Sequence, residues 1–331
     1  MKILKTVQKV PGGLMVVPLV LAALLNTFFP QVLAIGGIST ATFSKGTATL
    51  IGVACICVGS QIDIKGTVET LKRGGFLFFG KFLAGLVPAI LVTKFFGIDG
   101  ILGITPLMLL AGVTSVNAGL YLGRMTDMGD KYDVGAQAIL SISVGPFLTL
   151  LGIGAAGISS FDWVALLASI APILIGFILG NLDEDIRSFL KSGALIVLPL
   201  IGFNLGASIN LMSLVQGGVL GVALAVIIIV LTLLFLLPID RFILRRPGYA
   251  AVACCTCAGA NAAVPALVAE VSPNLAGQVA SATSALAAAT IITTIVAPIL
   301  TSFAVKKWGK KPENKAAGDH EINEEIAAGG D

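Results

Sequence analysis

Apolar residues run through this chain in blocks of about twenty, separated by short polar or glycine-rich breaks, from Leu14 to Val305. A helix rises about 1.5 Å per residue, so a block of that length crosses the roughly 30 Å of hydrocarbon in a bilayer. The breaks predict ten membrane-spanning helices, near 14–34, 46–63, 75–96, 101–123, 134–157, 162–181, 191–211, 216–238, 249–270 and 276–305. Lipid offers no hydrogen-bond partners, and the blocks lack the short alternation of a membrane barrel, so the expected fold class is an all-α integral membrane protein. The first block holds Pro18 and is followed by many more spans rather than a cleavage site, which reads as a retained first helix.

Composition agrees with the pattern. Of 331 residues, 56% are hydrophobic and 12% charged, where a soluble domain carries about 25% charge; the mean hydropathy is +0.99. Charge changes the picture by orienting the spans. With the N-terminus inside, 18 of the 21 Lys and Arg residues fall on the cytoplasmic side, leaving Lys45 and Lys94 opposite and Lys81 within the third span. Both termini are therefore expected in the cytoplasm. The end, from residue 306 to 331, is polar and rich in small residues and is expected to be a disordered tail.

The two halves of the chain, 1–157 and 158–305, also match each other in register. VVPLVLAALL (Val16 to Leu25) faces IAPILIGFIL (Ile170 to Leu179), and VGSQIDI (Val58 to Ile64) faces LGASINL (Leu205 to Leu211), setting Asp63 against Asn210. Gly74-Gly75 face Gly217-Gly218, SVNAGL (Ser115 to Leu120) faces GANAAV (Gly259 to Val264), and GAQ (Gly135 to Gln137) faces AGQ (Ala276 to Gln278). Five spans per half is an odd number, so the second half enters the membrane from the opposite side. This is the inverted repeat of many secondary transporters, whose sites lie near the midplane where helices are discontinuous.

Two mid-span stretches fit such discontinuities: GVTSVNAG (Gly112 to Gly119) in the fourth span, and AGANAAVPA (Ala258 to Ala266) in the ninth, where Pro265 also removes a backbone donor. Thr114, Ser115, Asn117, Gly119, Gly259 and Asn261 are the candidate binding residues, their amides and hydroxyls able to cap or bridge unwound backbone. The alternative role for such residues is ordinary interhelical hydrogen bonding. Gln137 and Ser141 of the fifth span and Gln278 and Ser281 of the tenth, with Ser143, Thr149, Thr283, Ser284, Thr290 and Thr293 nearby, can line a hydrated cavity for a polyhydroxylated solute or bond helix to helix.

Charges inside spans are costly and point to function. Asp63, Lys81 and Glu270 are the candidates for ion or proton coupling, with Asp63 and Lys81 able to pair and Lys81 and Glu270 alternatively snorkelling to the interface. Arg124, beside the fourth-span break, can attract an anion or serve the positive-inside pattern. The five cysteines lie in apolar segments and the single histidine, His320, in the tail, so they read as packing residues without a metal site. No phosphate-binding loop or Ser/His/Asp set is present, so an ion gradient rather than ATP is the expected energy source, and no enzyme activity, cofactor or nucleic-acid partner is expected.

KTVQKVPGGLMVVPLVLAALLNTFFP at the start, VGSQIDIKG in the second span and GVTSVNAGLYLGRMTDMGDKYDVGAQA in the fourth and fifth resemble the bacterial 2-keto-3-deoxygluconate permeases, over about residues 1 to 305. The resemblance implies inner-membrane uptake of that sugar-acid anion by proton symport. It also implies a fold related to the bile acid/sodium symporters, with a panel from spans 1, 2, 6 and 7 and a core whose spans 4 and 9 are broken and cross. A sodium-coupled carrier of another organic anion is the nearest alternative, and a channel or receptor the more distant one.

Overall fold

In the computed structural model, residues 2–7, 13–62, 68–160, 163–207 and 211–309 are described. Asp63, Asn210 and the tail beyond residue 309 lie outside them. The described chain is helical: α1 (Ile3–Val7), α2 (Gly13–Phe28), α3 (Pro30–Leu33), α4 (Gly37–Phe43), α5 (Thr47–Ser60), α6 (Val68–Phe96), α7 (Pro106–Val113), α8 (Ala118–Met128), α9 (Lys131–Leu140) and α10 (Phe147–Ala155). There follow α11 (Trp163–Leu182), α12 (Glu184–Leu190), α13 (Gly193–Ala207), α14 (Leu211–Pro238), α15 (Tyr249–Ala253), α16 (Val264–Val271) and α17 (Val279–Trp308). Among the described residues there is no strand, only an isolated bridge between Ile101 and Ile104.

Five segments are long and apolar enough to cross a membrane: Val68–Phe96, Pro106–Met125, Trp163–Leu182, Gly217–Ile243 and Pro273–Trp308. Counting each of three bent helix pairs as one span brings the number to eight. The expected spans 14–34 and 249–270 correspond to shorter apolar helices, Val17–Phe28 and Gly259–Val271. One bent pair, α4 with α5, turns by 58°; another, the α9 stretch with α10, turns by 62° at Gly145-Pro146, where Gly145 has φ +102°. Leu21, Leu91, Leu174, Ile178, Val222, Val230 and Ile299 stand exposed on the outer surface, the apolar girdle that lipid covers. Prolines 18, 88, 172, 199 and 298 sit inside these helices, where neighbouring groups in a membrane protein can satisfy the freed carbonyls. The last helix reaches Trp308, past the expected end at 305, and Arg241 lies over its ring at 4.4 Å.

Packing divides the helices into two groups. In the first, α2 lies along α13, and α5 lies along α11 and α13. Glycine sets the distance: a Cβ on Gly176 would stand 2.0 Å from the Ile56 carbonyl oxygen, on Gly180 2.1 Å from that of Ser60, and on Gly206 2.0 Å from that of Leu19. In the second group α6 packs on α7, α9 and α14, and α17 packs on α14 and α15. This group buries nearly all of the charged side chains that leave solvent, including Arg73, Lys81, Asp133, Asp240 and Arg246.

Candidate functional site

Helix α7 starts cleanly: the Thr105 hydroxyl accepts from Met108 N–H at 3.3 Å, and Pro106 occupies the first turn, where its missing donor is not needed. It stops at Val113, and the next two side chains turn back on its last carbonyls. The Thr114 hydroxyl donates to Leu110 O at 2.6 Å, and the Ser115 hydroxyl lies 3.2 Å from both Ala111 O and Gly112 O. The chain restarts as α8 with Asn117 as N-cap, its Oδ1 accepting from Leu120 N–H at 3.1 Å.

A second interruption lies opposite. Helix α15 ends at Ala253, residues 255–258 are non-helical, a 3-10 turn spans Gly259–Ala263, and α16 begins with Pro265 in its first turn. The two interruptions are bonded to each other. Asn117 N–H donates to the Thr256 hydroxyl at 3.0 Å, Ala258 N–H to the Ser115 hydroxyl at 3.2 Å, and the Asn261 amide to Ala111 O at 3.0 Å. Outer groups complete the set: Val116 N–H donates to the Ser143 hydroxyl, Cys257 N–H to the Thr293 hydroxyl, and Gly145 N–H to Asn261 Oδ1. Each N–H named here, released when a helix broke, finds a protein oxygen, which is what interrupted backbone away from water requires. Asn117, Gly119 and Gly259 keep partial or full exposure while Thr114, Ser115 and Asn261 are buried, so access to the junction is from the first set.

Other expected residues fall elsewhere. Gln137 and Ser141 bond to each other at 2.9 Å along α9. Gln278 donates to Ile98 O at 3.0 Å, tying the start of α17 to the loop after α6, and Ser281 donates to Gln278 O. Of the fifth- and tenth-span polar groups, Ser143 and Thr293 accept from the interrupted backbone, and Thr290 bonds the Cys257 thiol. Glu270 is exposed on the last turn of α16, and Arg124 is half-buried on α8. Lys81 does not snorkel. It is 0% exposed and donates to the Thr232 hydroxyl at 2.5 Å and to Cys254 O at 2.8 Å. All five cysteines are free and buried.

One buried cluster was not foreseen. Asp130 and Asp133 form a capping box at the start of α9. Arg246 is ion-paired with Asp133 and bonded to the Tyr249 hydroxyl, while Arg73 reaches Asp130 at 2.7 Å and Asp133 at 3.1 Å. Burial works against the Asp130 carboxylate, but the Arg73 guanidinium and the Asp133 N–H outweigh it and hold the carboxyl below its usual range. The DKYD run shows a cap in the sequence; the pairing of Asp133 with Arg246, 113 residues away, leaves no local signal.

A cavity of about 240 Å³ lies between α5 and α11 of the first group and α10 and α16, which pack on α7 of the second, lined by Ile51, Cys55, Pro146, Leu150, Pro172 and Leu267 among others. Gly145, whose N–H holds Asn261, backs onto Cys55, with its Cβ position 3.4 Å from the sulfur. A wider groove of about 580 Å³ opens at the α4–α5 bend around Thr40, Lys45 and Thr49.

Lipid-length helices with an apolar exterior, and interrupted backbone held by protein groups in the interior, define a multi-pass helical membrane protein of the transporter class. The sequence model for the family described as 2-keto-3-deoxygluconate permease matches residues 4–310. Similar proteins include 2-keto-3-deoxygluconate permease 1 of Salmonella typhimurium, 40% identical over 311 residues, covering 94% of this chain and 98% of the relative. The 2-keto-3-deoxygluconate permease of Bacillus subtilis is 37% identical (94% and 96% covered), and that of Escherichia coli O7:K1 is 35% identical (96% and 97%). The chain belongs to the 2-keto-3-deoxygluconate permease family, a family of transporters rather than enzymes.

Proposed function

We propose that this protein takes up 2-keto-3-deoxygluconate across the bacterial inner membrane as a proton symporter, working by alternating access. The observation that carries the reading is the junction itself: two interrupted helices, more than a hundred residues apart, hydrogen-bonded through Ser115, Asn117, Thr256 and Asn261. Such a junction presents half-helix ends to a solute, and an amino end favours a carboxylate. In this reading the carboxylate sits by the start of α8 and the Gly259–Asn261 turn, near Thr114, Ser115, Asn117 and Gly119. The sugar hydroxyls meet α9 and α17, from which Gln137, Ser141, Gln278 and Ser281 are the proposed contacts.

Ten spans in two inverted halves, 1–157 and 158–305, with both termini cytoplasmic, complete the proposal. The eight membrane-length segments and the two shorter apolar helices are compatible with that count, and the basic-residue bias supports the orientation. Each half pairs a long helix, α6 or α14, with an interrupted one, which supports the repeat. The α2, α5, α11, α13 group would be the panel and the α6, α7, α9, α14, α15, α17 group the core that moves against it, with the 240 Å³ cavity on the seam between them.

Uptake into vesicles with imposed gradients tests the reading. Accumulation should follow an inward proton gradient, and Asn117→Ala and Asn261→Ala should each abolish uptake while the protein remains in the membrane. Stimulation by sodium alone would move the assignment to a sodium-coupled carrier, and wild-type uptake in both variants would refute the junction as the site.

A further inference from the structure

Of the three charges proposed for coupling, Lys81 is the one the structure buries completely. Its amine lies on α6, 2.8 Å from the Cys254 carbonyl and 2.5 Å from the Thr232 hydroxyl. Cys254 is the residue that caps the carboxyl end of α15, immediately before the interruption. The carbonyls at a helix's carboxyl end lack partners within the helix and carry partial negative charge, so a cation there is held by charge as well as by hydrogen bonds. Both acceptors are neutral. Among the described residues no carboxylate lies in ion-pair range of this ammonium, and an unpaired buried ammonium is costly to keep.

Among the elements packed on α6, helices α7 and α10 carry no ionisable side chain, α9 brings Tyr132 and Asp133 at its start, and the turn after α14 brings Asp240. The thiols of Cys254, Cys255 and Cys257 are the ones within its electrostatic range. Beyond Cys254 stand Asp240 from the turn after α14 and Tyr121 from α8, both fully buried, and Tyr121 is in range of Asp133 and Arg246 as well. Arg73, on α6 itself, is about 12 Å away along the helix at about 1.5 Å per residue. Tyr121 Oη and Asp240 Oδ1 have no hydrogen-bond partner among the described residues.

Resting on the transport reading above, we infer that Lys81 carries the coupling proton, and that its ammonium form holds the carboxyl end of α15 so that the solute junction is assembled. The amine takes up one proton on one side and gives it up on the other; no other bond changes. The path from proton to solute is short. Cys254 is two residues from Thr256, whose hydroxyl receives Asn117 N–H. Losing the proton leaves a neutral amine at the helix end, without the charge that held it, and the 254–258 segment is free to part from Ser115 and Asn117. One proton carried with one carboxylate anion moves no net charge.

The test uses purified wild-type protein and the Lys81→Arg and Lys81→Met variants in proteoliposomes, with labelled 2-keto-3-deoxygluconate. Wild type should accumulate solute about tenfold per unit of imposed pH difference, one proton's worth, and an imposed membrane potential should not change that ratio. Lys81→Arg, fixed in the charged form, should keep solute exchange between loaded vesicles yet show no accumulation above the no-gradient level. Lys81→Met should lose both. Gradient-driven accumulation at the wild-type ratio in either variant overturns the inference while leaving the transport reading intact; absence of wild-type uptake under any gradient overturns the transport reading instead. If neither variant folds, a pH indicator decides: solute binding to detergent-solubilised wild type should be accompanied by proton uptake from the medium, and solute binding with no proton uptake at any pH tested overturns the inference.

Discussion

The two packing groups share close glycine contacts, which α14 also makes on α17 through Gly217 and Gly221, but they differ in where the buried charges lie. Around α5, α11 and α13, helices meet backbone to backbone, with glycine hydrogens where a Cβ would collide with a carbonyl oxygen. Around α6, α9, α14 and α15, they meet through buried polar and charged side chains: Lys81 to Cys254, Asn261 to Ala111 and Gly145, and Asp133 to Arg246. Lipid supplies no hydrophobic drive between helices, so close van der Waals contact and interior hydrogen bonds are the two means available. The first makes a dense wall whose buried polar groups are neutral, such as the Asn204 amide. The second makes an interior whose geometry depends on buried charge.

The largest effect expected from breaking this contrast is in the wall. Gly176→Leu, whose Cβ alone would lie 2.0 Å from Ile56 O, should exceed the about 3 kcal/mol of ordinary overpacking and leave no monodisperse protein in size-exclusion chromatography of detergent extracts. Next, Arg246→Leu leaves Asp133 buried and short of a partner and should cost about 3–5 kcal/mol, with much of the loss recovered in the Asp133→Leu/Arg246→Leu double variant. Denaturant melts of the three proteins measure this. Asn261→Ala leaves the Gly145 N–H without its partner and Ala111 O with only the Ser115 hydroxyl, and should cost about 1–3 kcal/mol, in addition to the loss of uptake.

Smaller still is the pH effect of Asp130. Its carboxyl ionises more readily folded than unfolded, so its contribution is present above the ordinary carboxylate range and is lost as pH falls through its depressed folded value. Melting temperatures should therefore drop on acidification, and the Asp130→Asn variant should show a shallower drop. The smallest effect belongs to Glu270→Gln: an exposed residue, it should change stability by less than about 0.5 kcal/mol and leave uptake unchanged.

Much of the architecture could be read before any coordinates because lipid imposes a length on every helix and a composition on every surface. The mid-span Asn117 and Asn261 stood out for the same reason, since an amide in an apolar block needs an explanation. What remained hidden is long-range pairing. Arg73 and Arg246 counted as ordinary cytoplasmic charges, because a sequence pattern cannot tell a basic residue facing the cytoplasm from one folded inward onto Asp133. Gln137 and Gln278 occupy matching positions in the two halves, yet their bonding differs in a way no pattern shows: one bonds locally along its own helix and the other to a loop. Thr256 gave no signal at all, because a single threonine in a span usually bonds its own preceding turn; here it receives Asn117 N–H across the junction instead.

The five sheltered thiols turn this chain into its own stopwatch. Thiols buried in apolar surroundings react slowly, so in this conformation an alkylating reagent finds no ready target. Cys257 lies 3.5 Å from the Ser115 hydroxyl, inside the junction, and Cys55 lines the seam cavity. The rate at which each is labelled counts how often the junction or the seam comes apart, and solute or a proton gradient that alters the cycle should change those two rates differently. The wild-type sequence thus records its own movements, without an added probe.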